Sequence, residues 1–309
     1  MPDSTPPLTP SPQRSFFFGP NGIRPGWRVL IFFLIILGEV FVLFLLMLLA
    51  HAHGNAAAGM LTPLGLGITE GMILLTTVVA AFIMSRIEHR RFADYGLPLR
   101  HALRSHFWIG ALVGFLSISA CLFIIFVLHG FRITGLATSG RTLLLSALAW
   151  SLTFLIVGLA EEFAFRGYLQ FTFTTGMGFW PAAFLTSAIF GLAHAGNPGE
   201  SKFGLVSVVC FGLLFCLFLR RTGNLWWAVG FHAGWDWGQT FFYGVRDSGA
   251  PAYHNFLNSS FSGPVWLTGG SVGPEASPFT PIILAVVAIL FGWRYRENRQ
   301  RDARKHTVP

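Results

Sequence analysis

The chain has 309 residues, of which 53% are hydrophobic and only 11% charged. That composition lies outside the range of a soluble domain and inside that of a polytopic membrane protein. The formal net charge of +8 sits on the segments flanking apolar runs, so it reflects topology and anionic headgroups and gives no basis for nucleic-acid binding.

Residues 2–12 hold five prolines among Ser and Thr, and residues 1–28 read as a disordered cytoplasmic leader. The first apolar run, Val29 to Leu49, competes with a signal-peptide reading because Ala50 to Ala52 offers small residues. It is longer than the roughly 7–15 residues of a signal core, so an uncleaved anchor is expected. Further runs are Ile68 to Ser85, Phe107 to Leu128, Thr142 into the Glu161 region, Phe179 to His194, Phe203 to Leu219, Leu225 to Tyr243 and Phe279 to Trp293. The predicted fold class is all-α, a polytopic transmembrane helical bundle of about eight spans enclosing an intramembrane polar chamber. One domain covers residues 29–293, and residues 294–309 form a basic cytoplasmic tail.

Of the 21 basic residues, Arg14, Arg24 and Arg28 precede the first run. Arg86, Arg90, Arg91, Arg100 and Arg104 follow the second, Arg220 and Arg221 the sixth, and Arg294 to Lys305 the eighth. The other side receives Arg132, Arg141, Lys202 and Arg246. This bias predicts an integral membrane protein, of the plasma (inner) membrane if bacterial, with both termini cytoplasmic. Cys121, Cys210 and Cys216 match no metal or redox spacing and read as packing residues. The segment 244–278, punctuated by Gly263-Pro264, Gly269-Gly270 and Gly273-Pro274, is a far-side loop that either caps the bundle through Phe256, Phe261, Trp266 and Leu267 or runs outside it.

Ionisable residues inside apolar runs cost on the order of 3 kcal/mol each, so those present mark a site facing the bundle interior. Glu161, Glu162 and Arg166 lie in one run, His194 in the next, and His232 with Asp236 in a third. If the fourth helix continues to the Gly176-Met177-Gly178 turn, Glu161 and His194 are nearly equidistant from it, about 24 Å away, and can face each other across a hairpin. His232 is then about 13 Å into its own helix, and the chamber is expected to open on the hairpin's cytoplasmic side. Glu162 and Arg166 are an i,i+4 pair that reads as structural, which leaves Glu161 as the free carboxylate and candidate general base. His232 and Asp236 are also i,i+4, so the aspartate can orient the ring. Taken singly, either histidine reads equally well as a hydrogen-bonded core residue. Glu39 and Glu70 are expected at membrane boundaries or among polar neighbours, and His51, His53, His129 and His254 in far-side loops.

These residues carry a resemblance. Glu161-Glu162-Phe-Ala-Phe-Arg166, Phe190-Gly-Leu-Ala-His194 and His232-Ala-Gly-Trp-Asp236 resemble the three motifs of the CAAX protease and bacteriocin-processing (Abi) family of intramembrane endopeptidases. The likeness covers about residues 140–245, and the stretch from Leu267 to Glu275 is similar to a loop of some bacterial members. The resemblance implies that Glu161 with His194 activates a water for attack on a peptide carbonyl, with His232 and Asp236 at the oxyanion-stabilising positions and Glu162, Arg166 and Phe190 in support. Asp236 stands where many members have Asn. An ionised aspartate cannot donate to an oxyanion, so it is expected to act through His232, holding it protonated. The substrate implied is a peptide or protein, lipidated or not, met among membrane lipids, and no cofactor is expected.

Alternative readings use the same residues. A zinc protease would take His194, His232 and Glu161 as ligands, yet the chain lacks a His-Glu-x-x-His helix and the metal would compete for the base. A non-catalytic immunity or scaffold protein would keep them for packing, and a proton-coupled transporter would use Glu161 as a carrier site, without the repeated halves such folds show.

Overall fold

The computed structural model describes residues 16–19, 22–49, 61–251 and 253–295. The proline-rich leader at 2–12, the Ala50 to Ala52 segment and the basic tail from 296 lie outside the described residues. A two-residue ribbon, β1 (Phe18–Gly19) and β2 (Gly22–Ile23), precedes helices α1 (Pro25–Leu49), α2 (Pro63–Ile87) and α3 (Ser105–Val127). Strand β3 (Phe131–Leu136) leads to α4 (Gly140–Glu162), which continues through a π-helical stretch, Phe163–Leu169, into α5 (Gln170–Met177). Then follow α6 (Phe179–Ala193), α7 (Lys202–Thr222), α8 (Trp226–Asp236) with a second π-helical stretch, Trp237–Phe242, strand β4 (Leu257–Phe261), the short α9 (Val265–Thr268) and α10 (Phe279–Arg294).

The fold is therefore a polytopic helical bundle. All eight apolar runs are helical, and among the described residues five helices are long and apolar enough to cross a membrane: those over 25–45, 63–87, 105–127, 140–177 and 202–222. The remaining three runs form helices of 15 and 16 residues and an 11-residue α8 that continues through six π-helical residues, all short of the roughly 20 needed to cross unaided. Large apolar side chains such as Leu34, Phe41, Leu112 and Leu148 stand exposed on the outer faces, which lipid solvates without penalty.

Thr62 caps α2 by accepting from the Gly65 N–H at 3.1 Å, and Ser201 caps α7 by accepting from Gly204 at 2.9 Å. Gly178, at φ +84°, makes the turn between α5 and α6 that a side chain would strain. Helix α8 is seated on α3 with almost no space between backbones. A Cβ on Gly114 would meet the Phe231 carbonyl oxygen at 2.1 Å, and one on Gly234 would meet that of Ala111 at 2.0 Å. Gly110 and Gly230 are held likewise, so four small residues let the two helices touch along their length.

Two antiparallel strands were not foreseen. β3 pairs with β4, Phe131 opposite Phe261, and so draws the 244–278 segment back over the bundle. That segment is a cap: Leu267, Val272 and Glu275 are buried, although Trp266 points outward. At the opposite end Arg28 pairs with Glu88, Tyr168 Oη donates to Glu88 at 2.7 Å, and the Arg220 guanidinium lies over Phe179. The basic helix ends thus gather on one side of the bundle, away from the cap.

Candidate functional site

Inside the bundle is a hollow of about 660 Å³. Its lining includes Leu66, Glu70 and Ile73 of α2, Phe154, Val157 and Glu161 of α4, His194 after α6, and His232 and Asp236 of α8. The cap contributes Asp247, Ser248 and Glu275. The hollow is bounded by the cap end and not by the hairpin end, contrary to the opening expected from sequence. Below Glu161 the hairpin side is filled: Phe163, Tyr168 and Leu169 are buried, with Tyr168 stacked on Phe32 at 4.2 Å and edge-on to Tyr95 at 5.1 Å.

The hairpin brings Glu161 Oε1 to 4.0 Å from His194 Nε2. His194 Nδ1 lies 2.9 Å from the Phe190 carbonyl oxygen, and because a carbonyl only accepts, Nδ1 carries the hydrogen. In the neutral ring Nε2 is then left as an acceptor facing Glu161. A water at 2.8 Å from both atoms would subtend an angle of about 90°, a geometry hydrogen bonding allows. Phe190 supports this arrangement, its ring 4.6 Å from that of His194 and 4.0 Å from the Arg166 guanidinium.

His232 is held at both nitrogens. Nδ1 lies 3.0 Å from Glu162 Oε1, while Nε2 faces Asp236 Oδ2 at 3.4 Å and Glu161 Oε2 at 3.5 Å. Sequence spacing assigned ring orientation to Asp236 and gave Glu162 to Arg166 alone. Glu162 instead serves both, since its Oε1 also accepts from Arg166 Nη1 at 3.3 Å, and its side chain is completely enclosed. The ring of His232 stacks on Phe215 at 5.4 Å. Both π-helical stretches begin immediately after the acidic residues, one after Glu162 and the other after Asp236. Such widened turns gather at functional sites and leave no mark in residue spacing.

Three lining groups escaped the sequence reading. Glu70 lies among polar neighbours, Glu161 and His232, as one of its two expected settings has it, but on the wall of the hollow, and its Oε2 is buried without a hydrogen-bond partner. Asp247 and Glu275 come from the cap, and their carboxylates and that of Asp236 bring ligand atoms within 4.8 Å of one another. Burial raises the proton affinity of both cap carboxyls above the ordinary range, and for Glu275 the adjacent Asp247 adds to this. Asp247 accepts from Thr240 Oγ1 at 2.7 Å and Glu275 from the Ser248 N–H at 3.2 Å.

For metal binding, this all-oxygen trio suits a hard divalent cation better than zinc. Among the described residues it is the group of three whose ligand atoms lie within 4.8 Å of one another; His194, His232 and Glu161 are not gathered that tightly. Cys121 and Cys216 are buried thiols, the former 3.5 Å from Thr280 Oγ1.

Residues 143–238 match the family model for type II CAAX prenyl endopeptidases, described as Rce1-like. That segment, about a third of the chain, is similar to this family of CAAX-type membrane proteases. No curated protein matches the chain. The matched segment holds Glu161, Glu162, His194, His232 and Asp236, whereas Glu70, Asp247 and Glu275 lie outside it.

Proposed function

We propose that the chain is an intramembrane endopeptidase that hydrolyses a peptide bond with a glutamate-activated water and no metal. The observation that carries this reading is the 4.0 Å separation of Glu161 Oε1 and His194 Nε2 at the wall of the hollow, with His232 Nε2 beside the other carboxylate oxygen. Water held between Glu161 and His194 gives its proton to Glu161 as its oxygen attacks the carbonyl carbon. The carbonyl π electrons move to oxygen, where His232, protonated at Nε2 and fixed through Nδ1 by Glu162, donates to the oxyanion. Collapse of the tetrahedral intermediate expels the amine, which takes the proton back from Glu161.

The substrate is a membrane-presented peptide, and the largely apolar walls suit a lipidated segment as well as a bare one. Gathering of the basic helix ends on one side supports cytoplasmic termini, with the hollow nearer the other face.

Cleavage of a panel of quenched peptides, lipidated and not, by purified full-length protein tests the reading. Activity in the wild type that is lost in Glu161→Gln and persists with a zinc chelator supports it. Loss on chelation favours the metal alternative. Absence of cleavage by the wild type leaves the scaffold reading ahead for those peptides.

A further inference from the structure

The hollow contains a carboxylate for which the reaction above has no use. Glu70 lies on α2 in a stripe with Leu66 and Ile73, whose spacing of four and three residues puts them on one helix face. Phe154, Val157 and Glu161 form the matching stripe on α4. Two anchors show that these helices run in the same direction: Thr153 Oγ1 donates to the Pro63 carbonyl at 2.9 Å, and Tyr168 Oη donates to Glu88 Oε1 at 2.7 Å. Glu70 and Glu161 both lie between these anchors and both line the hollow, so the two carboxylates face one space. Each of Glu161 and His232 is near enough for its charge to act on Glu70.

Glu70 Oε2 has no hydrogen-bond partner, and the lining of the hollow includes no Lys or Arg among the described residues. Two carboxylates facing one poorly solvated space repel each other; His232, 3.5 Å from Glu161, offsets that carboxylate, and a cation that meets Glu70 relieves what remains. A metal ion needs six or so oxygen ligands, more than this wall supplies. Leu66, Ile73, Phe154 and Val157 supply what the aliphatic stem of a basic side chain needs while its charged head meets a carboxylate.

We propose that Glu70 is a specificity-determining residue, binding a Lys or Arg side chain that the substrate carries beside the scissile bond. This rests on the peptidase reading and adds the chemical class of its substrate. Glu161 cannot take that role without ceasing to be the base, so recognition and proton transfer fall to separate carboxylates on neighbouring helices.

The test compares kcat/KM for paired peptides, Lys against Met at each position flanking the cleaved bond, using full-length wild type, Glu70→Gln, Glu70→Lys and Glu161→Gln, with and without chelator. The wild type is expected to prefer a Lys peptide about tenfold at one position, between the worth of an exposed and a buried ion pair. Glu70→Gln should lose that preference, mainly through KM, while still cleaving the Met peptide, and Glu70→Lys should favour a Glu peptide. An unchanged Lys preference in Glu70→Gln overturns the proposal, as does an equal loss on both peptides or a preference that disappears with chelator. Cleavage of the Met peptide by Glu70→Gln and not by Glu161→Gln keeps the peptidase reading whichever way the preference falls. No cleavage of any peptide by the wild type removes both.

Discussion

His232 Nδ1 lies 3.0 Å from Glu162 Oε1, an oxygen that also accepts from Arg166 at 3.3 Å, so one enclosed carboxylate ties a structural cation to a reacting ring. The two adjacent glutamates therefore divide the work: Glu161 faces the hollow, and Glu162 is sealed beneath it.

Glu162→Gln should consequently cost both fold and function. It leaves Arg166 buried without a counter-charge, worth about 3–5 kcal/mol of stability, and frees the His232 ring. Glu161→Gln, facing the hollow, should abolish cleavage and shift stability by about 1 kcal/mol or less. Thermal unfolding in detergent beside peptide cleavage separates the two; equal melting points for the pair would remove the assigned role of Glu162.

His232→Ala should lower turnover by about two to three orders of magnitude, the usual loss for an oxyanion donor. Asp236→Asn should keep partial activity, because Glu162 continues to hold the ring and the amide can donate where a carboxylate cannot. Complete loss in Asp236→Asn, measured as kcat on the same peptide, would show that its charge is required.

Phe190→Leu removes a ring that the Arg166 guanidinium approaches at 4.0 Å and His194 at 4.6 Å. The expected cost is about 1–2 kcal/mol of stability, with a fall in activity traceable to a displaced His194. A variant that melts earlier yet turns over at the wild-type rate would confine Phe190 to packing.

The cap carries a pH dependence whose sign is fixed by burial. Asp247 and Glu275 bind protons more tightly folded than at their ordinary values of 3.8 and 4.5. Their contribution to stability is fully present below those values and is lost as pH rises through the higher folded-state values. Asp247→Asn and Glu275→Gln, which keep acceptors for Thr240 and Ser248, should flatten the decline and raise the melting temperature at neutral and alkaline pH. A wild-type melting curve that instead rises across that range would contradict the burial argument.

Much of the helical frame was legible because apolar runs and charged breaks mark helices directly, and the near-equal distances of Glu161 and His194 from Gly178 placed them opposite each other. The rest needed tertiary structure. The ribbon joining Phe131 to Phe261 depends on strands more than a hundred residues apart, in segments that read as loops. Glu70 looked isolated because its neighbours Glu161 and His232 lie on other helices. The π-helical turns after Glu162 and Asp236 alter which way side chains point without altering composition, so the second partner of Glu162 could not be read from i,i+4 spacing.

The glycine seam between α3 and α8 decides which wall of the hollow can yield. With Gly110, Gly114, Gly230 and Gly234 pressed against backbone oxygens, the helix bearing His232 has no free volume behind it into which it could retreat or roll. It acts as an anvil. A peptide chain entering the hollow must displace something softer, and α2, with Glu70 upon it, has no such seam: a Cβ on Gly71 would meet nothing within 4 Å, whereas Gly249 of the cap is pressed against the Pro198 carbonyl oxygen.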